Sequence, residues 1–296
     1  MSRSALQVFA LHCTLLYAGA AAAAPGIALE DEPSRTELAH YAMFKEAERA
    51  IPRDFKFPEH AITNRVFGID VSHYQGKLDW KKIHGTGVRF VYAKATQGKQ
   101  YFDREFAGNW TALGTLAQHD APVLRGAYHF MSAVDAPEEQ AANYLAKVGA
   151  LTERDLAPCL DVEWDFLIKN RKVVKDSKGK NIDQWHAHDA KEIVRRIKTW
   201  LAIVEKSTGK KPLIYTNASW WKEHIGNNLE LKDYKLWIAD YTSASLNEEK
   251  PRVPPDFKWV MWQLTDKGTI SNIGLNKGLD TNVLAHDDRE ATAQFK

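Results

Sequence analysis

Cysteine is scarce in this chain: Cys13 and Cys159 are the two among 296 residues. Once a leader carrying Cys13 is removed, one remains, which excludes an internal disulfide framework. A chain of this length buries enough core to fold without such staples. Cys159 follows apolar sequence and precedes Leu160, so it reads as a small buried thiol. An excess of charge of one sign is also missing. Lys and Arg number 40, Asp and Glu 38, and the net charge is +2. Loss of Arg3 with the leader lowers it to +1. So nearly neutral a protein has no global field for gripping nucleic acid. Beyond the N-terminus no apolar run approaches the roughly 20 residues that span a bilayer, so no stable membrane insertion is expected. With 44% hydrophobic and 26% charged residues, the composition excludes disorder.

Present instead is an N-terminal leader pattern over residues 1–24. Arg3 gives a positive start, Ala5 to Gly19 is largely apolar, and Ala20 to Ala24 offers small-residue cleavage sites. Export to the periplasm or the outside is the expectation. Residues 25–65 read as an extension with one helix. Ser34 and Glu37 form a capping box, and Pro52 ends the helix. From residue 66 to 296, short β-branched and aromatic runs alternate with amphipathic segments. Strands are expected at 66–71, 88–95, 122–130, 157–164, 212–217, 235–240, 258–264 and 279–283. Helices are expected at 105–118, 137–150 and 188–205. The alternation predicts an α/β fold, an irregular TIM-like β/α barrel. It has eight strands and fewer helices, about five.

In such barrels the working site lies at the C-terminal ends of the strands. Asp70, His129, Asp161, Glu163 and Asp240 close strands here, and Asp280 opens the last. Holding several carboxylates together costs free energy, so their convergence points to use. Asp161-Val162-Glu163 is the sharpest element. On a strand, residues two apart share a face and their Cα atoms are roughly 6.5 Å apart. Both acids would enter the mouth and Val162 would face the helices. Glycoside hydrolysis needs such a pair, one protonated and one ionised. Aromatics near strand ends suit the C–H faces of sugars: Tyr74, Tyr128, Trp164, Tyr215, Trp237, Tyr241 and Trp262. Lys169, Arg171, Lys172, Lys175, Lys178 and Lys180 form a basic run, either a solvated loop or a rim for an anionic polymer. His186, His188 and Asp189 lie in a polar stretch and read as solvated. No metal and no cofactor are expected.

At these residues the sequence resembles glycoside hydrolase family 25, the Chalaropsis-type lysozymes. The resemblance runs from about Phe67 to Leu284. It is carried, in order, by Gly68-Ile-Asp-Val-Ser-His-Tyr-Gln75, Lys94-Ala-Thr-Gln-Gly98, Gly126-Ala-Tyr-His-Phe130 and Leu160-Asp-Val-Glu163. Ile214-Tyr-Thr-Asn217, Leu236-Trp-Ile-Ala-Asp240, Trp262-Gln263 and Asp280-Thr-Asn282 follow. The resemblance implies cleavage of the β-1,4 bond between N-acetylmuramic acid and N-acetylglucosamine in peptidoglycan, and a monomer is the expectation. It implies that Glu163 is the general acid and later base, and that Asp161 orients the substrate's N-acetyl group. Asp70 and Asp280 follow as further site carboxylates. Tyr128, His129, Tyr74, Trp237, Asp240, Trp262, Gln263, Asn217 and Gln97 follow as substrate-binding residues. The family usually has Glu where this chain has Gln97, and the stretch 165–185 is longer than usual. A retaining, substrate-assisted route and a direct attack by water both stay open. The alternative to an enzyme is a barrel that holds cell-wall glycan without cutting it.

Overall fold

The computed structural model describes residues 66–119, 122–242, 250–270 and 278–285, together with 55–56, 245 and 273. The leader and the helical extension lie outside the described residues, except for Phe55–Lys56. That pair runs parallel to Gly268 and Thr269.

Eight strands close a barrel: β1 (Phe67–Val71), β2 (Val88–Gln97), β3 (Leu124–Phe130), β4 (Cys159–Asp161), β5 (Leu213–Asn217), β6 (Leu236–Ala239), β7 (Trp259–Thr269) and β8 (Leu279–Leu284). The first seven run parallel to their neighbours, and β8 runs antiparallel between β7 and β1. Strands alternating with helices imply a parallel sheet, and β8 departs from that. The segment from Thr269 to Leu279 is too short to cross back, so the last strand returns as a hairpin partner. Among the described residues five α-helices accompany the strands: α1 (Trp80–His84), α2 (Phe106–Leu116), α3 (Pro137–Val148), α4 (Ala190–Thr208) and α5 (Ala218–His224).

Strand alternation sorts the core into two layers. Ile69, Val91, Ala93, Leu160, Val162, Ile214 and Ile238 face outward and pack with helix residues. On α4 these are Ile193, Val194, Ile197, Trp200, Leu201 and Val204, the i, i+3, i+4 stripe of an amphipathic helix. Asp189 caps the start of α4, and Gly209, at φ 70°, ends it in the left-handed conformation.

The inward layer is a plug of rings: Phe90, Tyr92, Tyr128, Tyr215 and Trp237. The Trp237 ring lies 5.0 Å from Tyr92 and 4.9 Å from Tyr215. Two motif glycines make room for it. A Cβ at Gly68 would stand 2.4 Å from the Phe90 ring, and one at Gly126 would stand 2.3 Å from the Tyr92 ring. These pairs are cross-strand neighbours, Gly68 with Phe90 and Tyr92 with Gly126. A missing side chain on one strand is thus filled by a ring from the next.

Candidate active site

Three of the four acids lie on the strands that enclose this plug, Asp70 in register with Tyr92 and Asp161 with Tyr215, and Glu163 follows two residues after Asp161. Asp70 and Asp280 are directly opposed on β1 and β8. Asp161 ends β4 in one row with Gln97, Phe130, Tyr215, Trp237 and Met261. Parity turns Asp161 inward, because Cys159 is in the inner layer and Leu160 and Val162 are in the outer. Regular pairing stops at Asp161, short of the strand end expected at 164. The Val162 N–H still donates to the Tyr215 carbonyl at 2.9 Å, carrying the extended course to Glu163. Asp70, Asp161 and Glu163 are buried, and Asp280 is half-buried.

A connected network fixes the floor. The Gln263 amide donates from Nε2 to Asp70 Oδ2 at 2.7 Å, and Asn282 Nδ2 donates to the same oxygen at 2.9 Å. Gln263 Oε1 accepts from the hydroxyls of Tyr215 at 2.8 Å and Tyr241 at 2.5 Å. Trp237 Nε1 donates to Asn282 Oδ1 at 2.8 Å. Burial, and after it the charges of Tyr215, Asp280, Asp266 and Asp70, push the Tyr241 hydroxyl well above its ordinary pKa, so it stays a donor. Tyr215 and Tyr241 were foreseen as aromatics near strand ends. Their hydroxyls are members of the floor network, and Asp266 is a further acid that the sequence did not single out.

From Glu163 the chain enters the long stretch 165–185, which is ordered. Trp185 Nε1 donates to the Glu163 carbonyl at 2.8 Å, and the Asp165 N–H donates to Asp183 Oδ1 at 3.1 Å. Phe166 bridges Asp183, and Ile168–Lys169 pairs with Lys172–Val173. Asn170 and Arg171 turn that hairpin at φ 51° and 62°, the positive values a two-residue turn of this hand requires. The basic residues of the run are all exposed along it. Asp165 accepts from the Ala133 N–H at 2.7 Å and the Ser132 hydroxyl at 3.2 Å. Its burial and the charge of Asp183 raise its pKa to about 6 against those bonds.

Not every expected site residue reaches the mouth. His129 follows inward Tyr128 and therefore faces outward. Its Nδ1 is 2.7 Å from the Thr96 hydroxyl, its Nε2 is 3.1 Å from Gln140 Oε1, and its ring stacks on Trp200 at 5.5 Å. Burial lowers its pKa to about 3, so it is a neutral strut between sheet and helices. Trp262 also faces outward and donates to the Asp240 carbonyl at 2.8 Å. The Asp240 carboxylate is occupied by the loop beyond β6. It accepts from the Ser245 hydroxyl and from the N–H and guanidinium of Arg252. Burial would raise its pKa, and these partners outweigh burial and hold it below the usual carboxylate range. Asn217 Oδ1 caps α5 by accepting the Trp220 N–H at 2.9 Å, and its Nδ2 has no hydrogen-bond partner. Gln97 Oε1 accepts from buried Lys94 Nζ at 2.5 Å. Tyr128 and Trp237 are buried in the plug, whereas Tyr74 and Trp164 are half-buried. His188 Nε2 lies 2.9 Å from the Ala133 carbonyl, and Asp189 caps α4, so these two are structural.

A closed barrel carrying acids at the C-terminal ends of its strands has the layout of a barrel enzyme's working face. Comparison with known proteins gives the family. The model of Glycosyl hydrolases family 25 matches residues 69–273. Lysozyme M1 of Streptomyces globisporus is 30% identical over 232 residues, 75% of this chain and 68% of its own. The N,O-diacetylmuramidase of Chalaropsis sp is 31% identical over 188 residues, 60% of this chain and 80% of its own. The crystal structure of the bacterial lysozyme from Streptomyces coelicolor superposes with a TM-score of 0.64 at 27% identity. It covers 79% of this chain and 98% of that one. The chain therefore belongs to glycosyl hydrolase family 25 and is a glycoside hydrolase.

Proposed function

We propose that this enzyme hydrolyses the β-1,4 bond between N-acetylmuramic acid and N-acetylglucosamine in peptidoglycan, acting as an exported monomer. The reading is carried by one observation. A buried strand ends on Asp161 and leads directly to buried Glu163, above a floor where Asp70 opposes Asp280. Lysozyme M1 and the Chalaropsis enzyme support the substrate class.

In this mechanism Glu163 protonates the leaving glycosidic oxygen and afterwards takes a proton from water. Asp161 orients the N-acetyl group, whose oxygen attacks the anomeric carbon from the opposite face. Asp70 and Asp280 stand across the mouth as further site carboxylates. Half-buried Tyr74 and Trp164 offer ring faces to the sugars. The exposed basic hairpin runs along one rim.

The test is Glu163→Gln, which keeps the shape and removes the proton. A general acid and base contributes about 10²–10⁴-fold, so release of muropeptides from purified peptidoglycan should fall by at least that factor. Thermal unfolding should stay unchanged within a few degrees. Turnover within tenfold of the parent would remove Glu163 from the role. Product stereochemistry by NMR separates the routes, since retention supports the N-acetyl nucleophile and inversion refutes it.

A further inference from the structure

Outside the mouth, where the long excursion meets helix α5, three metal-ligating side chains converge. Asp183, His186 and His224 each place one ligand atom within 4.8 Å of the other two. Asp183 and His224 are buried, and His186 is exposed on the solvent side. The Asp183 carboxylate is divided in use. Its Oδ1 accepts the N–H groups of Asp165 at 3.1 Å and Trp185 at 3.2 Å. Its Oδ2 faces the histidines.

Asp183 Oδ2 lies 2.9 Å from His224 Nε2, yet neither atom makes a hydrogen bond. At that distance it is the angles of the contact, and not its length, that rule out a hydrogen bond. Two buried polar atoms left in this state cost free energy unless something else engages both. His186 Nδ1 stands 4.0 Å from the same oxygen. Its Nε2 is 3.1 Å from Glu223 Oε1. A histidine that binds through one nitrogen and gives its other N–H to a carboxylate is the usual outer arrangement of a zinc ligand. Zinc bonds of about 2.0–2.2 Å at tetrahedral angles set ligand atoms roughly 3.3–3.5 Å apart. The observed 2.9 and 4.0 Å bracket that span. The exposed His186 ring is the one with freedom to close the gap.

We propose that Asp183 Oδ2, His186 Nδ1 and His224 Nε2 form a zinc site, with water in the fourth position and Glu223 as the outer partner of His186. Bound there, the ion pins the excursion to α5. It thereby holds Trp185, whose indole supports the Glu163 carbonyl. Its role is positioning, and it stands apart from the reacting carboxylates. The donor set, two imidazoles and one carboxylate, suits a borderline metal such as zinc better than magnesium or calcium, which prefer oxygen ligands throughout.

The test uses tag-free full-length protein stripped with chelator and then titrated with Zn²⁺ by calorimetry. Co²⁺ substitution reports the coordination geometry. One equivalent should bind, with a rise in unfolding temperature and a tetrahedral Co²⁺ spectrum. Glu223→Gln should weaken binding by about 10–100-fold. His186→Ala, on an exposed ring, should weaken it further without unfolding the protein. It is the decisive variant if the buried His224→Ala does not fold. Absence of stoichiometric uptake by the folded parent overturns the site, as does uptake that His186→Ala leaves unchanged.

Discussion

Gln263 is where the floor network can be cut at one side chain. It is fully buried, accepts from two tyrosine hydroxyls and donates to Asp70. Gln263→Leu keeps the approximate volume and removes all three bonds. The tyrosine bonds are worth about 0.5–1.5 kcal/mol each and the bond to a carboxylate about 1.5–3, so together about 2.5–6 kcal/mol. Apolar burial of the leucine offsets part of this, leaving an expected loss of about 2–4 kcal/mol. That is a large fraction of a typical total of about 5–15 kcal/mol. Urea unfolding followed by tryptophan fluorescence would read it.

Gln263→Glu is the sharper probe. It preserves the acceptor for both tyrosines but sets a second carboxyl 2.7 Å from Asp70 Oδ2, where the amide stood. Two carboxylates so close share a proton, and the pair's upper pKa rises above that of either in the unfolded chain. A raised folded pKa gives stability that is present at low pH and is lost as pH rises through it. The Glu variant should therefore approach the parent near pH 4–5 and fall away toward pH 8. The Leu variant deprives the Asp70 carboxylate of one donor and adds no second acid, so it should show a smaller added slope over that range. A Leu loss under about 1 kcal/mol, or a Glu deficit that does not change with pH, would refute the assigned network.

Two further outcomes follow from the same coordinates. Gly126→Ala puts a Cβ 2.3 Å from the Tyr92 ring, which is tethered by its hydroxyl to the Ala157 carbonyl at 2.9 Å. It should cost about 1–3 kcal/mol in thermal unfolding, and a neutral result would mean the plug is loose. For pH dependence, His129 is lowered from 6.5 to about 3, and Asp165 is raised from 3.8 to about 6. The His129 contribution is complete above 6.5 and is lost as pH falls toward 3, while that of Asp165 is complete below 3.8 and is lost as pH rises through 6. The two oppose each other between. His129→Gln should therefore leave a stability that falls from pH 3.8 to 6, read from urea midpoints, and a rising profile would contradict it.

The barrel was legible because its strands are short apolar runs whose alternation survives without tertiary information. Asp161 was placed inward by that rule. The same rule, applied one strand earlier, puts His129 outward once Tyr128 is inward, so a strand-end position alone was a poor guide. Asp240 and Asn217 show a second limit. Both stand at strand ends, but their carboxylate and amide oxygens are taken by the loop and helix that follow, and short polar side chains at such junctions serve as caps as readily as ligands. Helices α1 and α5 escaped because five and seven residues give too little periodicity to read. The approach of Asp183 to His224 joins residues 41 positions apart, and no local pattern signals it.

What fills the barrel also limits where this enzyme can differ from its relatives. The floor is a closed stack of rings seated on glycines, with each hydroxyl, indole and amide of its network bonded to a neighbour, so a change there propagates through several strands. The excursion after Glu163 is under no such constraint on its outer side. Its basic residues are exposed and its hairpin projects from the barrel, yet its base is bonded to Glu163 through Trp185 and to Asp165 through Asp183. Variation at its tip can thus be tolerated while its base keeps the Glu163 backbone in place. That is the division expected between a rigid scaffold and a surface loop carried on it.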